Sequence, residues 1–140
     1  MQIRPYITFH GECQQAIELY SKAFRAESVK TLRFSELPKH PGGPEIPSHQ
    51  LEWVVQATLP MGDNFIRLSD TIGELNDAPS ERVAIAVECE EELVRHAFAV
   101  LEEDGEVGIP LQRTFFSPCH GVVFDKFGVM WNFVAQDGGR

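Results

Sequence analysis

The sequence predicts an α+β protein in which one strand–helix–strand–strand–strand unit occurs twice. Two observations carry this expectation. Two stretches, 12–24 and 90–104, space their apolar residues as amphipathic helices do. Each follows one short strand-like run and precedes three more, so the order of elements repeats although residue identity between the halves is weak. A tight hairpin signal in the first half, "PMGD" before "NFIRLSD", fixes where two of those strands turn.

In chain order, "RPYITFH" (4–10) reads as a strand that Gly11 ends. The first helix carries Ala16, Ile17, Tyr20, Ala23 and Phe24 on one face. Glu12 in its first turn suits the helix dipole, and Glu18 stands four residues before Lys22. A second strand is expected over 27–35. Residues 36–50 hold four prolines and two glycines, which exclude regular structure and predict a long loop, either a lid or a partner contact. Strands follow at 51–59 and 64–70. In the second half a strand is expected at 82–88. A helix over 90–104 has Leu93, Ala97, Val100 and Leu101 on one face, and Gly105 ends it. Three more strands are expected at 106–116, 120–125 and 129–135. One helix per half covers one sheet face, so the other face must be buried against its twin, lined as a cavity, or both.

A chain of 140 residues with 43% hydrophobic and 24% charged residues fits one soluble domain, with module one at about 1–75 and module two at about 80–136. A net charge of −9 without a basic cluster argues against nucleic acid as a partner. No apolar run is long enough to cross a bilayer, and the N-terminus lacks the apolar core of a signal peptide, so a cytoplasmic location is expected. Cys13, Cys89 and Cys119 are scattered and odd in number, which argues against a disulfide framework or a zinc knot and for buried or idle thiols. His10, His40, His49, His96 and His120 show no metal-binding spacing. Cys119 and His120 are adjacent; on a strand they face opposite sides and form no dyad, whereas a turn after Pro118 could reorient them.

Three segments, "PYITFHGECQQAIELYSKAF", "GDNFIRLSD" and "GVVFDKFGVMWNF", resemble the PhnB-like branch of the vicinal oxygen chelate superfamily. That superfamily includes glyoxalase I, extradiol dioxygenases, and fosfomycin and bleomycin resistance proteins. The similarity spans nearly the whole chain except the proline-rich loop, and "DKFGVMW" is its most specific part. The resemblance implies two βαβββ modules in a curved, cup-like mixed sheet, the glyoxalase/bleomycin-resistance fold. It also implies a homodimer whose cups are often completed by pairing modules across subunits.

Metal-dependent members hold a divalent ion with side chains on four strands. Carried over one at a time, those positions fall on Pro5, Arg67, Arg82 (or, with a shift, Glu81) and Asn132. Proline has no side-chain donor, arginine is a cation, and a lone amide oxygen binds weakly. No metal and no cofactor is therefore expected at the family site, a departure common in this branch.

Strand parity then gives a pocket. Phe65, Arg67 and Ser69 face the cup, opposite Ile66 and Leu68. Val54, Gln56 and Thr58 face it too, opposite Trp53, Val55, Ala57 and Leu59. Met130, Asn132 and Val134 join from the last strand, and Ile7 and Phe9 from the first. Phe116 stands near a position where relatives carry a pocket-lining Trp. The expected ligand-binding set is thus Phe9, Gln56, Phe65, Arg67, Phe116 and Asn132, mostly apolar with a few polar points, as small-molecule sites are. Arg67 has two readings: it grips a ligand carboxylate, phosphonate or phosphate, or it pairs with an internal acid such as Glu52 or Asp70, or exits to solvent. The expected function is metal-free binding of a small organic molecule, an anion being one option. The alternatives are a metal-dependent lyase, isomerase or dioxygenase, and a metal-free enzyme in which Arg67 polarises a substrate with help from Cys119 or His120. Whether any reaction is catalysed is left open.

Overall fold

The computed structural model describes residues 1–38, 42, 45–76 and 80–137. His40 lies outside them, as does part of the proline-rich loop. The described chain falls into two compact units, one of residues 1–21 and 25–76, the other of residues 22–24 and 80–137.

The first unit holds β1 (Tyr6–Phe9), most of α1 (Cys13–Phe24), β2 (Lys30–Arg33), β3 (Val54–Met61) and β4 (Asn64–Asp70). Its four strands form one mixed sheet in the order β1-β4-β3-β2, with β1 parallel to β4 and the other pairs antiparallel. One face of this sheet is core: Phe9, Ala57, Leu59, Ile66 and Leu68 are all buried. Gly11 ends β1 in a left-handed conformation (φ 86°), and a Cβ there would meet the Trp53 ring at 2.8 Å, so glycine is needed on both grounds.

A buried carboxylate joins three segments of this unit. Asp70, 5% exposed, accepts through Oδ1 from the Gly11 and Cys13 amides at 2.8 and 3.0 Å, and through Oδ2 from the Val54 amide at 3.0 Å. It thereby supplies an acceptor for donors at the start of α1 that have no partner inside the helix.

The second unit holds β5 (Ile85–Cys89), α2 (Glu91–Glu102), β6 (Glu106–Gln112), β7 (His120–Phe124) and β8 (Met130–Ala135). The order β5-β8-β7-β6 repeats the plan of the first sheet, again with one parallel pair, β5 with β8. α2 packs on β5, β7 and β8. It buries Val94, Ala97, Phe98, Val100 and Leu101, and Trp131, Phe133 and Ala135 of the sheet are buried with it. Phe24, from the 22–24 segment of this unit, sits 5.0 Å from Trp131 and 6.1 Å from Phe133 between ring centroids.

The stretch "DKFGVMW" proves to be a structural device. Asp125, 3% exposed, accepts from the Phe127 and Val129 amides through Oδ1 (2.9 and 3.0 Å) and from the indole Nε1 of Trp131 through Oδ2 (2.9 Å). Gly128, at φ 85°, closes the turn and donates its amide to the Asp125 carbonyl. One acid thus holds both the turn and the largest buried side chain of the sheet.

Several element bounds differ from the sequence-based expectation. β2 is only Lys30–Arg33, because the chain folds into a 3-10 turn at Phe34–Glu36, where the Glu36 carboxylate accepts from the Arg33 amide. A second 3-10 turn, Ser48–Gln50, precedes β3. β5 begins at Ile85, opposite Trp131 of β8, and residues 82–84 are not strand. β6 ends at Gln112; the residues after it turn back, with the Ser117 amide donating to Thr114 Oγ1.

Candidate functional site

Register decides which side chains share the open face of each sheet. In the first unit Tyr6 of β1 pairs with Arg67 of β4, Arg67 with Thr58 of β3, and Thr58 with Lys30 of β2. Paired residues project to the same side, so one row crosses the sheet as phenol, guanidinium, hydroxyl and ammonium. Phe65 and Ser69 flank Arg67 on the same side of β4, and Gln56 flanks Thr58 on β3. The predicted residues Gln56, Phe65 and Arg67 are therefore neighbours on this open face.

Three side chains placed on this face by the sequence, Ile7, Phe9 and Val54, lie elsewhere. Phe9, with Ile7, is on the opposite side of β1: it pairs with Asp70 and is 3% exposed, in the core. Tyr6 and Thr8 occupy the open face instead. Val54 is also in the core, fully buried. Leu32 pairs with Gln56 but the next residue, Arg33, pairs with Val54, so Val55 is an extra residue in a bulge. That insertion reverses parity between Gln56 and Val54, and the Val54 amide turns to Asp70.

Arg67 is half-buried and has no carboxylate partner among the described residues. Asp70 is committed to three backbone amides, and Glu52 meets an arginine only through its carbonyl, which accepts from Arg33. The internal salt bridge offered by the sequence reading is thus not made. Arg67 NH1 donates to Thr58 Oγ1 at 3.0 Å, and Gln56, its amide oriented by the network with the oxygen toward the guanidinium, accepts from Nε at 3.3 Å and from NH1. Both partners are neutral, and NH2 makes no protein hydrogen bond among the described residues. The guanidinium carbon is 5.1 Å from the Phe65 ring centroid.

In the second unit the open face carries Ala86 and Glu88 of β5, Asn132 and Val134 of β8, and His120 and Val122 of β7. His120 Nε2 lies 2.9 Å from Asn132 Oδ1. With the amide oxygen as acceptor, this ring nitrogen is the donor. The Phe116 ring meets His120 edge-on at 5.1 Å. Phe116 and Asn132 are thus linked through His120, which the sequence offers only as a helper in the metal-free enzyme alternative. Cys119 faces the other way, is fully buried, and burial raises its thiol pKa, so it forms no dyad with His120.

Among the described residues, the remaining cysteines and histidines belong to no group of three or more that could hold a metal ion. Burial pushes the Cys13 thiol up to about 12, with the Asp70 carboxylate adding to the rise and Arg33 opposing it. Burial, then Glu90, raises Cys89. His10 contacts the Thr71 carbonyl, His96 the Lys22 carbonyl, and His49 the edge of Trp53.

A metal ion does not fit the positions carried over from metal-dependent relatives. Pro5 offers only its backbone carbonyl, which accepts from the Arg67 amide. Arg67 presents a cation, Glu81 and Arg82 are exposed ahead of β5, and the Asn132 oxygen is occupied by His120. No group of three or more His, Cys, Asp or Glu side chains among the described residues could hold a metal ion. A separate groove of about 310 Å3, lined by Phe98, Val107 and Leu111 among others, lies between α2 and β6 and includes none of the predicted site residues.

Tyr6 and Lys30 are side chains of the first sheet's open face that the sequence reading did not name, and His120 entered it only as a possible helper of Arg67. Tyr6 has the parity of Thr8, opposite to Ile7 and Phe9, so finding it required the parallel register with β4. Lys30 and the Asn132 partner of His120 required the cross-strand register.

Two mixed four-stranded sheets, each with the order of a βαβββ unit and neither closed, define the glyoxalase/bleomycin-resistance fold. No family model matches the chain. The chain is 28% identical to protein YjdN of Escherichia coli, a PhnB-like protein, over 97% of each chain. Among solved structures it is similar to protein PA1353 from Pseudomonas aeruginosa (25% identity, 97% of this chain and 98% of that one, TM-score 0.80). It is also similar to a PhnB protein from Bacillus cereus described as a putative 3-demethylubiquinone-9 3-methyltransferase (26% identity, 97% and 100% covered, TM-score 0.76). The fosfomycin resistance protein FosX from Listeria monocytogenes, at 12% identity, 99% and 94% covered and TM-score 0.60, shares the fold alone. The structural neighbours are thus members of the vicinal oxygen chelate superfamily, PhnB-like proteins among them.

Proposed function

We propose that this PhnB-type chain binds a small organic anion on the open face of its first sheet, with Arg67 as the recognising charge and no metal ion at the positions used by metal-dependent relatives. The observation that carries this reading is the missing counter-ion. In a chain with 21 acidic and 12 basic residues, a half-buried guanidinium has, among the described residues, only Gln56 and Thr58 as hydrogen-bond partners. Desolvating a cation without an anion is unfavourable, and a bound carboxylate or phosphate would offset that cost. The two neutral partners fix the plane of the fork and leave NH2 free to donate, as recognition of a flat or tetrahedral oxyanion requires. Phe65 and Tyr6 beside it supply apolar surface for the body of the ligand.

The resemblance adds a homodimer in the cytoplasm to this reading. Tyr6 and Leu32, 55% and 39% exposed on the same face, support the dimer as apolar surface that a second chain would cover. No described helix is long and apolar enough to cross a membrane. The test is a thermal-shift screen of small anions against uncharged compounds of the same shape, paired with elemental analysis of protein purified with added metal salts. Anions should raise the melting temperature with concentration and their uncharged counterparts should not. Equal effects from both, or a stoichiometric metal ion required for the shift, would contradict the proposal.

A further inference from the structure

Resting on the reading of Arg67 as an anion receptor, we infer that Arg4 is the second half of the receptor and that the ligand's head group is a doubly charged oxyanion. Arg4 precedes β1 by two residues, so alternation along the chain places it on the face of Tyr6, whose register partner is Arg67. Its guanidinium carbon lies 3.6 Å from the centroid of the Phe65 ring. Arg67 approaches the same ring at 5.1 Å, so two guanidinium groups share one aromatic side chain.

Neither cation is neutralised. The polar partner of Arg4 is the neutral Gln2 Oε1, at 2.8 Å, and among the described residues no carboxylate meets either arginine. Lys30 stands in the same cross-strand row as Arg67, and no strand position on this face is acidic. In a chain of net charge −9, every charged side chain at the described strand positions of this face is thus basic. Two like charges at one ring repel. The negative face of the Phe65 ring offsets part of that cost. An anion that touches both arginines turns the remaining repulsion into attraction. A singly charged group neutralises one guanidinium and leaves the other, whereas a doubly charged group such as a phosphate monoester neutralises both and offers enough oxygens for two forks.

The experiment compares phenyl phosphate, phenyl sulfate and benzoate by isothermal titration at pH 8 in low salt without phosphate buffer. The phosphate ester is then dianionic, since its second pKa is about 6. Phenyl sulfate has the same shape with one charge, so it separates charge from geometry. Phenyl phosphate should bind roughly 10-fold or more tighter than phenyl sulfate. Arg4→Gln should erase that preference by weakening phenyl phosphate more than phenyl sulfate, and Arg4→Lys should restore most of it. Equal affinity for the two esters, or an unchanged preference in Arg4→Gln, overturns the inference and leaves the Arg67 reading standing. If Arg67→Gln weakens none of the three ligands, or if none binds at millimolar concentration, both readings fall.

Discussion

Replacing Asp125 with asparagine should destabilise the protein by about 3 kcal/mol, and the structure shows where the loss arises. The carboxylate accepts three hydrogen bonds, two from backbone amides and one from the fully buried Trp131 indole. Hydrogen bonds to a charged group contribute about 1.5–3 kcal/mol each. Asparagine keeps Oδ1 for the two amides, at roughly half strength without the charge. It also sets an NH2 donor against the indole N–H, so two donors face one another without an acceptor. For a chain of 140 residues a loss of about 3 kcal/mol lowers the melting temperature by roughly 10 °C. Trp131→Phe removes the indole donor and relieves that clash. The double variant should therefore be less destabilised than the sum of the single variants, by at least about 1 kcal/mol. Urea unfolding followed by circular dichroism measures all four corners of the cycle. Additivity within about 0.5 kcal/mol, or a loss below that in Asp125→Asn alone, would refute the assignment of this acid as the anchor of the turn and of Trp131.

Two further outcomes test the core around α1. Asp70→Ala leaves the Gly11, Cys13 and Val54 amides without their acceptor and should cost about 4 kcal/mol in a guanidinium titration, with the slope unchanged; a loss under about 1 kcal/mol would contradict the role given to it. The folded chain holds the Cys13 proton up to about pH 12, whereas a free thiol releases it near 9.0, so this contribution to stability is complete below pH 9 and is lost as pH rises toward 12. Cys13→Ala should flatten that alkaline decline, and in the native protein at pH 8 Cys13 and Cys119 should resist a thiol reagent that reaches them once the chain is unfolded; equal decline in the variant, or fast native labelling of either thiol, would be contrary results.

Much of the fold was legible because its signals are local. The spacing of Ala16, Ile17 and Tyr20 and the hairpin before Asn64 are properties of short windows. On β4 the alternation of Ile66 and Leu68 with Phe65 and Arg67 is long enough to fix both faces, and the structure keeps that division. β1 has only four residues, and Tyr-Ile-Thr-Phe can put its apolar pair on either side. An apolar cavity was expected, which drew Ile7 and Phe9 into it; the parallel register with β4 places them in the core instead. Val54 was misplaced by a single extra residue opposite the junction of Leu32 and Arg33, and nothing in "LEWVVQATL" marks a bulge. Asn132 was identified as an amide where a metal-using relative needs a stronger ligand. Its partner His120 lies on a different strand, and pairing the two required the β7–β8 register. The unpaired state of Arg67 was beyond sequence reasoning for the same reason: it depends on where Asp70 and Glu52 direct their own groups.

The claim that Arg67 is a receptor for an anion is tested most directly by titrating the strongest anion from the thermal-shift screen into wild-type protein and into Arg67→Gln. A charged hydrogen bond in this setting is worth about 1.5–3 kcal/mol, so the variant should bind roughly 10- to 100-fold more weakly with its fold and melting temperature retained. Equal affinity in the two proteins would contradict the account.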